Sequence, residues 1–291
     1  MKIAKELFTR PMSLVGLVIL VFFIVVAIAA PWLAPPWRAH EPYRIPRDGW
    51  WAQPRPPSAD HPFGTAEGQY DIYYGIIWGT RTAFRVGLIV TGVGCAIGMI
   101  IGSVAGFYGG FVDEILMRIA DIFYTLPFLI AAMVVTVVLG RGLNKVMIAM
   151  ILFSWMGYAR VIRSEVLRIK EVDYTQAARA LGAGTLRILL RHIIPNAIYP
   201  IFVLVSMNIG SMVLWASALS FLGLGSEVGY ADWGQMISFS RNWILGTQGN
   251  PLEFWYTVIY PGVAIVLFVL AWNLVGDTLR DILDPRLRGT R

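Results

Sequence analysis

The chain alternates long apolar runs with short polar connections. The runs cover residues 12–33, 86–112, 122–139, 146–159, 193–224 and 254–275. About 18 apolar residues suffice for a helix to cross a bilayer, so the pattern predicts six spans. The fourth is short, and the fifth is long enough to include an approach segment. No charge falls between Arg10 and Arg38. The first run therefore exceeds the roughly 7–15 apolar residues of a cleaved leader and reads as an anchored helix.

Two features inside the runs concern packing. Glycines at 94, 98, 102, 106 and 110 recur with a period of four. They should form one stripe along which a neighbouring helix approaches closely, since packing replaces the hydrophobic effect as the adhesive in lipid. Pro127 should kink the third span, because proline removes a helical N–H and crowds the preceding turn. Segment 34–85 lacks periodicity and is rich in Pro and Trp ("PWLAPPW", "GWWAQPRPP"). It is expected outside, on or near the membrane surface, with tryptophans at headgroup depth.

Composition supports the membrane reading. Residues of hydrophobic type make up 57% of the chain and charged ones 14%, against roughly a quarter charged in soluble domains. The expected fold class is an all-α membrane protein. Basic residues fix its orientation: Lys2, Lys5 and Arg10 precede the first span. Arg160, Arg163, Arg168, Lys170, Arg179, Arg187 and Arg191 lie between the fourth and fifth, and Arg280, Arg286, Arg288 and Arg291 follow the sixth. With six crossings all fall on one side, which the positive-inside rule makes the cytoplasm, both termini included. The net charge of +6 reads as topology and lipid contact, with no aromatic-basic pattern for nucleic acid.

Catalytic chemistry is not indicated. Cys95 is alone and should be a small packing residue. His40, His61 and His192 have no carboxylate or thiol at ligand spacing. Neither Gly-x-Ser-x-Gly nor His-Glu-x-x-His occurs, and none of Lys2, Lys5, Lys145 and Lys170 follows a glycine as a phosphate-binding loop requires. Asp121 and Asp277 lie near span ends, and Asn208 and Asn273 are the polar residues inside the last two spans. An ion-driven carrier would need carboxylates at the midplane and paired broken helices. Energy should come from another subunit.

The stretch from 173 to 197 is the polar exception. Tyr174, Ala177, Ala178 and Leu181 fall on one face of a short helix. Asp173 could cap it, with Gln176 reaching back as a capping-box partner. Gly182 and Gly184 should end it, Gly182 with positive φ. Thr185 could cap a second helix with the apolar face Leu186, Leu189, Leu190 and Ile193, and Pro195 follows. The physics leaves two readings open: a face that inserts into a partner's groove, or a helix pair resting on lipid.

"QAARALGAGTLRILLRHIIPN" (176–196) resembles the EAA loop of ABC-importer permeases: Glu-Ala-Ala, three residues, Gly, nine residues, Ile-x-Leu-Pro. Ala177, Ala178, Gly182 and Pro195 match, while Gln176 replaces glutamate and His192-Ile-Ile-Pro195 keeps the end loosely. "HPFGT" (61–65), "YGGFVDEILMRIADIFYTLP" (108–127), "ALSFLGLG" (218–225) and "NLVGDTLRDILDPRLR" (273–288) are similar to the dipeptide/oligopeptide/nickel group, in its C-type subunit. "AEGQYD" (66–71) departs from the family's Asp-x-x-Gly-Arg-Asp.

The resemblance implies a type I ABC importer permease with six transmembrane helices and a cytoplasmic coupling-helix loop at 171–194. It divides the chain into an anchor with an external segment, 1–84, and a five-helix core, 85–291. It also implies a pore shared with a B-type permease, two cytoplasmic ATPase subunits that use the ATP, and an extracytoplasmic solute-binding protein. This chain would carry no cofactor. Tyr174, Gln176, Ala177, Ala178, Leu181, Gly182 and Pro195 would be the ATPase-coupling residues. Peptide cargo is implied most directly, with oligosaccharide or nickel as alternatives. An ATP-independent channel or scaffold is the reading from a different class.

Overall fold

The computed structural model describes residues 11–246 and 250–283. Helices dominate these residues, with three isolated bridges and no extended strand. The outermost basic residues of both termini, Lys2, Lys5, Arg10, Arg286, Arg288 and Arg291, lie outside the described residues.

Helix α1, Pro11–Leu33, matches the first run. Helix α2, Ile72–Tyr108, begins well before residue 86, where the apolar run suggested. Its first turns mix Tyr, Trp, Thr and Arg with apolar residues, which hides the helix from a hydropathy reading. The 84/85 boundary thus falls inside α2, and the Pro/Trp-rich segment ends at Asp71. That residue caps α2: one carboxylate oxygen accepts from the Tyr74 N–H at 2.7 Å, and the other lies 2.7 Å from His61 Nδ1. A further consequence is that α2 carries Arg81 and Arg85, where the run at 86–112 contained no charge.

Gly109 (φ 66°) and Gly110 (φ 52°) turn the chain into α3, Gly110–Tyr124. Helix α4, Phe128–Leu139, follows at 86° to α3. The run at 122–139 therefore covers only the end of α3 and all of α4, and at Pro127 the chain breaks by 86° where a kink was expected. Pro127 donates no N–H and disfavours helical backbone at Leu126, so α3 stops and a new helix starts on the far side. Five helices are long and apolar enough to cross a membrane, and six crossings result if α3 and α4 together make one.

Helix α5, Leu143–Lys170, extends beyond the 146–159 run at both ends. The glycine stripe packs against it. A Cβ at Gly98 would sit 2.5 Å from the Trp155 carbonyl, and one at Gly106 2.9 Å from that of Arg163. Gly94 and Gly102 meet Ser154 and Ala159 in the same way. Gly110, the fifth of the series, has left the stripe to open α3. Cys95 is buried in this seam.

After the short helices α6, Asp173–Ala180, and α7, Thr185–Ile188, a π-helical turn, Leu189–Ile193, leads into α8, Ile194–Phe221. Helix α9, Trp233–Phe239, and α10, Tyr256–Leu283, complete the order. The central core forms where Phe23, Trp233 and Phe84 meet the fully buried Phe268 ring at 5.1–5.8 Å.

The Pro/Trp-rich segment folds as a cap over one end of the bundle. Trp78 Nε1 donates to the Ala34 carbonyl at 2.9 Å, and the Tyr74 hydroxyl donates to that of Pro42 at 2.7 Å. Tyr43 stacks on Tyr230 at 5.3 Å, and Arg44 bridges to the same residue. Asp232 anchors the other half of the cap. Its carboxylate caps α9 through the Gly234 N–H at 2.9 Å and accepts from Ser220 (2.6 Å) and Ser226 (3.0 Å). Burial pushes the Asp232 carboxyl above its ordinary value, against these hydrogen bonds, which favour the anion. Trp32, Trp37, Trp50 and Trp51 remain exposed.

Candidate functional site

The segment from Glu171 to Pro195 is an elbow between α5 and α8. Its first helix starts differently from the sequence expectation. Val172 takes extended backbone, and its carbonyl accepts from Thr175 N at 2.9 Å and Gln176 N at 3.1 Å. Val172 is thus the N-cap, and Asp173 lies in the first turn, where its charge suits the helix dipole. No capping box forms, because Gln176 folds back over Glu171 and donates to its carbonyl at 3.1 Å. Thr185 does not cap either. Gly184 holds that position with extended backbone and no side-chain bond.

Gly182 behaves as expected, with φ of 80°. It donates to the Arg179 carbonyl at 3.0 Å, and Ala183 donates to that of Ala178 at 3.0 Å. This paired closure satisfies carbonyls at the end of α6 and needs a left-handed residue at Gly182.

The return limb is not the simple amphipathic helix read from Leu186, Leu189, Leu190 and Ile193. Leu189 and Ile193 are buried with Ile188 against Tyr158, Ile162, Val166 and Ile169 of α5. Leu186 and Leu190 are exposed instead. A π turn adds a residue before Pro195, whose missing N–H falls in the first turn of α8 where no helical partner is needed.

The seven candidate residues separate into groups. Tyr174, Ala177 and Leu181 stand on the open side of α6, with Leu181 89% exposed. Ala178 is half-buried, Gln176 is turned to Glu171, and Gly182 has open space around it. Pro195 belongs to the root of α8 rather than to the tip. The surface so formed is apolar and small-sided on α6, and Leu186 and Leu190 of the return limb are exposed as well. Groups of apolar side chains left exposed on a polar connection mark a protein contact or a lipid contact.

The elbow is tied into the bundle by charged residues that one sequence could not pair. Arg163 of α5 donates to Asp113 of α3 from Nε at 2.5 Å and Nη2 at 2.6 Å. Arg160 donates to Asp121 at 2.6 Å and covers the Tyr124 ring. Lys170, at the foot of the elbow, donates to the Phe107 carbonyl at 3.2 Å. These bonds link α2, α3 and α5 just before α6 begins. Among the described residues no group of three or more potential ligands could hold a metal.

Five or six candidate spans with an exposed elbow between two of them mark an integral membrane protein. Residues 98–289 match the family described as the binding-protein-dependent transport system inner membrane component, and residues 2–46 match the N-terminal transmembrane domain of oligopeptide transport permease C. The chain belongs to this permease family. It is 35% identical to a dipeptide transport system permease protein of Bacillus subtilis over 98% of this chain and 85% of that one. Identity is also 35% to a probable D,D-dipeptide transport system permease protein of Escherichia coli K12, over 96% of this chain and 89% of that one. A glutathione transport system permease protein of Escherichia coli matches at 35% over 96% and 88%.

Proposed function

We propose that this chain is the C-type permease of an ATP-driven peptide importer, forming the pore with a B-type permease. Two cytoplasmic ATPase subunits dock on the elbow and a solute-binding protein delivers peptide from outside. Both termini lie in the cytoplasm, with α3 and α4 together making the third of six crossings. The observation that carries the coupling role is the exposed apolar surface of α6, on an elbow whose return limb is seated on α5 through Leu189 and Ile193. Pulling or pushing on α6 would move α5, and through Arg163 and Asp113 also α3. ATP-driven closure of the ATPases thus biases a two-state bundle between inward- and outward-open forms.

Peptide cargo is supported by the dipeptide and glutathione permeases to which the chain is similar. The chain itself performs no hydrolysis in this reading. The test is uptake by vesicles holding the complete complex: a labelled dipeptide should enter only with ATP, binding protein and both ATPases present. Uptake that persists without the ATPases would overturn the proposal.

A further inference from the structure

Arg81 sits on a membrane-spanning helix with neutral partners only, among the described residues. Its Nε donates to the Ala27 carbonyl of α1, and its Nη2 lies 3.5 Å from the Ile28 carbonyl. The cause lies in α1. Pro31 has no N–H for the carbonyl four residues earlier, which is that of Ala27, and Arg81 supplies the missing donor. The Trp78 ring is 5.0 Å from the guanidinium. Hydrogen bonds are thereby satisfied at α1, yet the positive charge has no counter-ion, and three of the guanidinium's five N–H donors remain unused. An uncompensated charge in a span is costly and usually marks a function.

Arg81 also lines a groove of about 590 Å³ between α1, α2 and α10. Ile24, Ile28, Phe84, Leu88 and Trp272 form its apolar walls. This volume lies in the range of small-molecule sites, roughly 300–1,000 Å³. Ala27 lies six residues before the end of α1 at Leu33, or about 9 Å along the helix. An arginine at that depth reaches a phospholipid headgroup by extending its side chain toward the interface.

We propose that this groove holds an anionic phospholipid, with its phosphate on Arg81 and an acyl chain along Ile24, Leu88 and Trp272. The occupant is chosen by charge complementarity: an apolar trough beside one unpaired cation suits a molecule with an anionic head and a hydrocarbon tail. Binding would bridge three helices, including the one whose proline left the Ala27 carbonyl free. The site is separate from the elbow, so its failure would leave the transport reading intact.

The experiment is lipid analysis by mass spectrometry of the complete transporter purified in mild detergent. Phosphatidylglycerol or cardiolipin should be retained above its share in the parent membrane. Arg81→Gln keeps a donor for Ala27 and should lower retained anionic lipid per permease roughly fivefold, the worth of one basic contact. Arg81→Lys should retain most of it. Leu88→Trp, with Arg81 intact, should expel the chain and lower retention as well. Added phosphatidylglycerol should raise the melting temperature of wild type but not of Arg81→Gln, whereas phosphatidylcholine and inorganic phosphate should raise neither. Equal retention in wild type and all three variants would overturn the proposal. So would Arg81-dependent stabilisation by inorganic phosphate alone, or Arg81-dependent cross-linking to the second permease with lipid retention unchanged.

Discussion

Arg163 and Asp113 face each other from α5 and α3 and share two hydrogen bonds at 2.5 and 2.6 Å. The Asp113 side chain is only 15% exposed. Paired donors from a planar guanidinium give this contact geometric definition as well as strength. It fixes the broken α3–α4 pair to the helix that enters the elbow.

Loss of either partner should therefore separate α3 from α5. Asp113→Asn or Arg163→Gln should each cost about 1.5–3 kcal/mol, the range for hydrogen bonds to charged groups. The exchanged pair, Asp113→Arg with Arg163→Asp, should recover part of that loss. Thermal stability of the purified complex checks this through a double-mutant cycle. Additive losses, with no recovery in the exchanged pair, would show that the two helices are held by other contacts.

Asp232 should make the cap sensitive to pH. Its folded-state pKa is raised by burial, so the folded protein holds the proton more tightly than the unfolded chain does. The associated stability is present in acid, below the ordinary carboxylate range. It is lost as pH rises through the raised value. Asp232→Asn keeps an oxygen for the Gly234 N–H and should be flatter in stability over that window. Asp232→Ala orphans Ser220, Ser226 and Gly234 and should cost about 1–3 kcal/mol. Parallel melting curves for wild type and Asp232→Asn from acid to neutral pH would contradict the assignment.

How much of this was legible in the sequence depended on the range of the interaction. The spans at 12–33 and 254–275 show themselves by hydropathy alone. The glycine period foretells the α2–α5 seam because a repeat of four maps onto one helix face. Pro127 announces a break, but its 86° angle depends on which helices receive the two halves. The early start of α2 was hidden because Arg81 is tolerated there only through Ala27, more than fifty residues away. The caps assigned to Asp173 and Thr185 failed for a local reason. Extended backbone at Val172 and Gly184 starts each helix one residue early. Gly182 was legible because its demand, a left-handed helix end, is set within five residues.

Gly182→Val distinguishes backbone strain from docking. Apart from Gly182 itself and its two chain neighbours, nothing lies within 4 Å of a Cβ built there, and φ is 80°. The intrinsic cost is thus backbone strain alone, about 1–2 kcal/mol. Insertion and pairing with the second permease should stay near wild type, while ATPase subunit retained per permease pair should fall severalfold. Retention and normalised transport both near wild type would remove the docking role from this bend.

Orientation follows from single cysteines in a Cys95→Ala background. Both Arg187 in the elbow and Ser58 in the cap are exposed. An impermeant thiol reagent applied to intact cells should label Ser58→Cys and not Arg187→Cys. Inverted vesicles should show the opposite. Labelling of both from the same side would reject the six-crossing topology.

The claim that the elbow receives an ATPase is tested most directly by cross-linking from Leu181. Its side chain stands 89% exposed at the end of α6, while Leu189 on the return limb is buried against α5. A photoreactive residue at Leu181 in the assembled transporter should capture the ATPase subunit, with a yield that changes on adding a non-hydrolysable ATP analogue. The same probe at Leu189 should react within the permease. Capture of lipid or of the second permease from Leu181, with no ATPase adduct in any nucleotide state, would contradict the account.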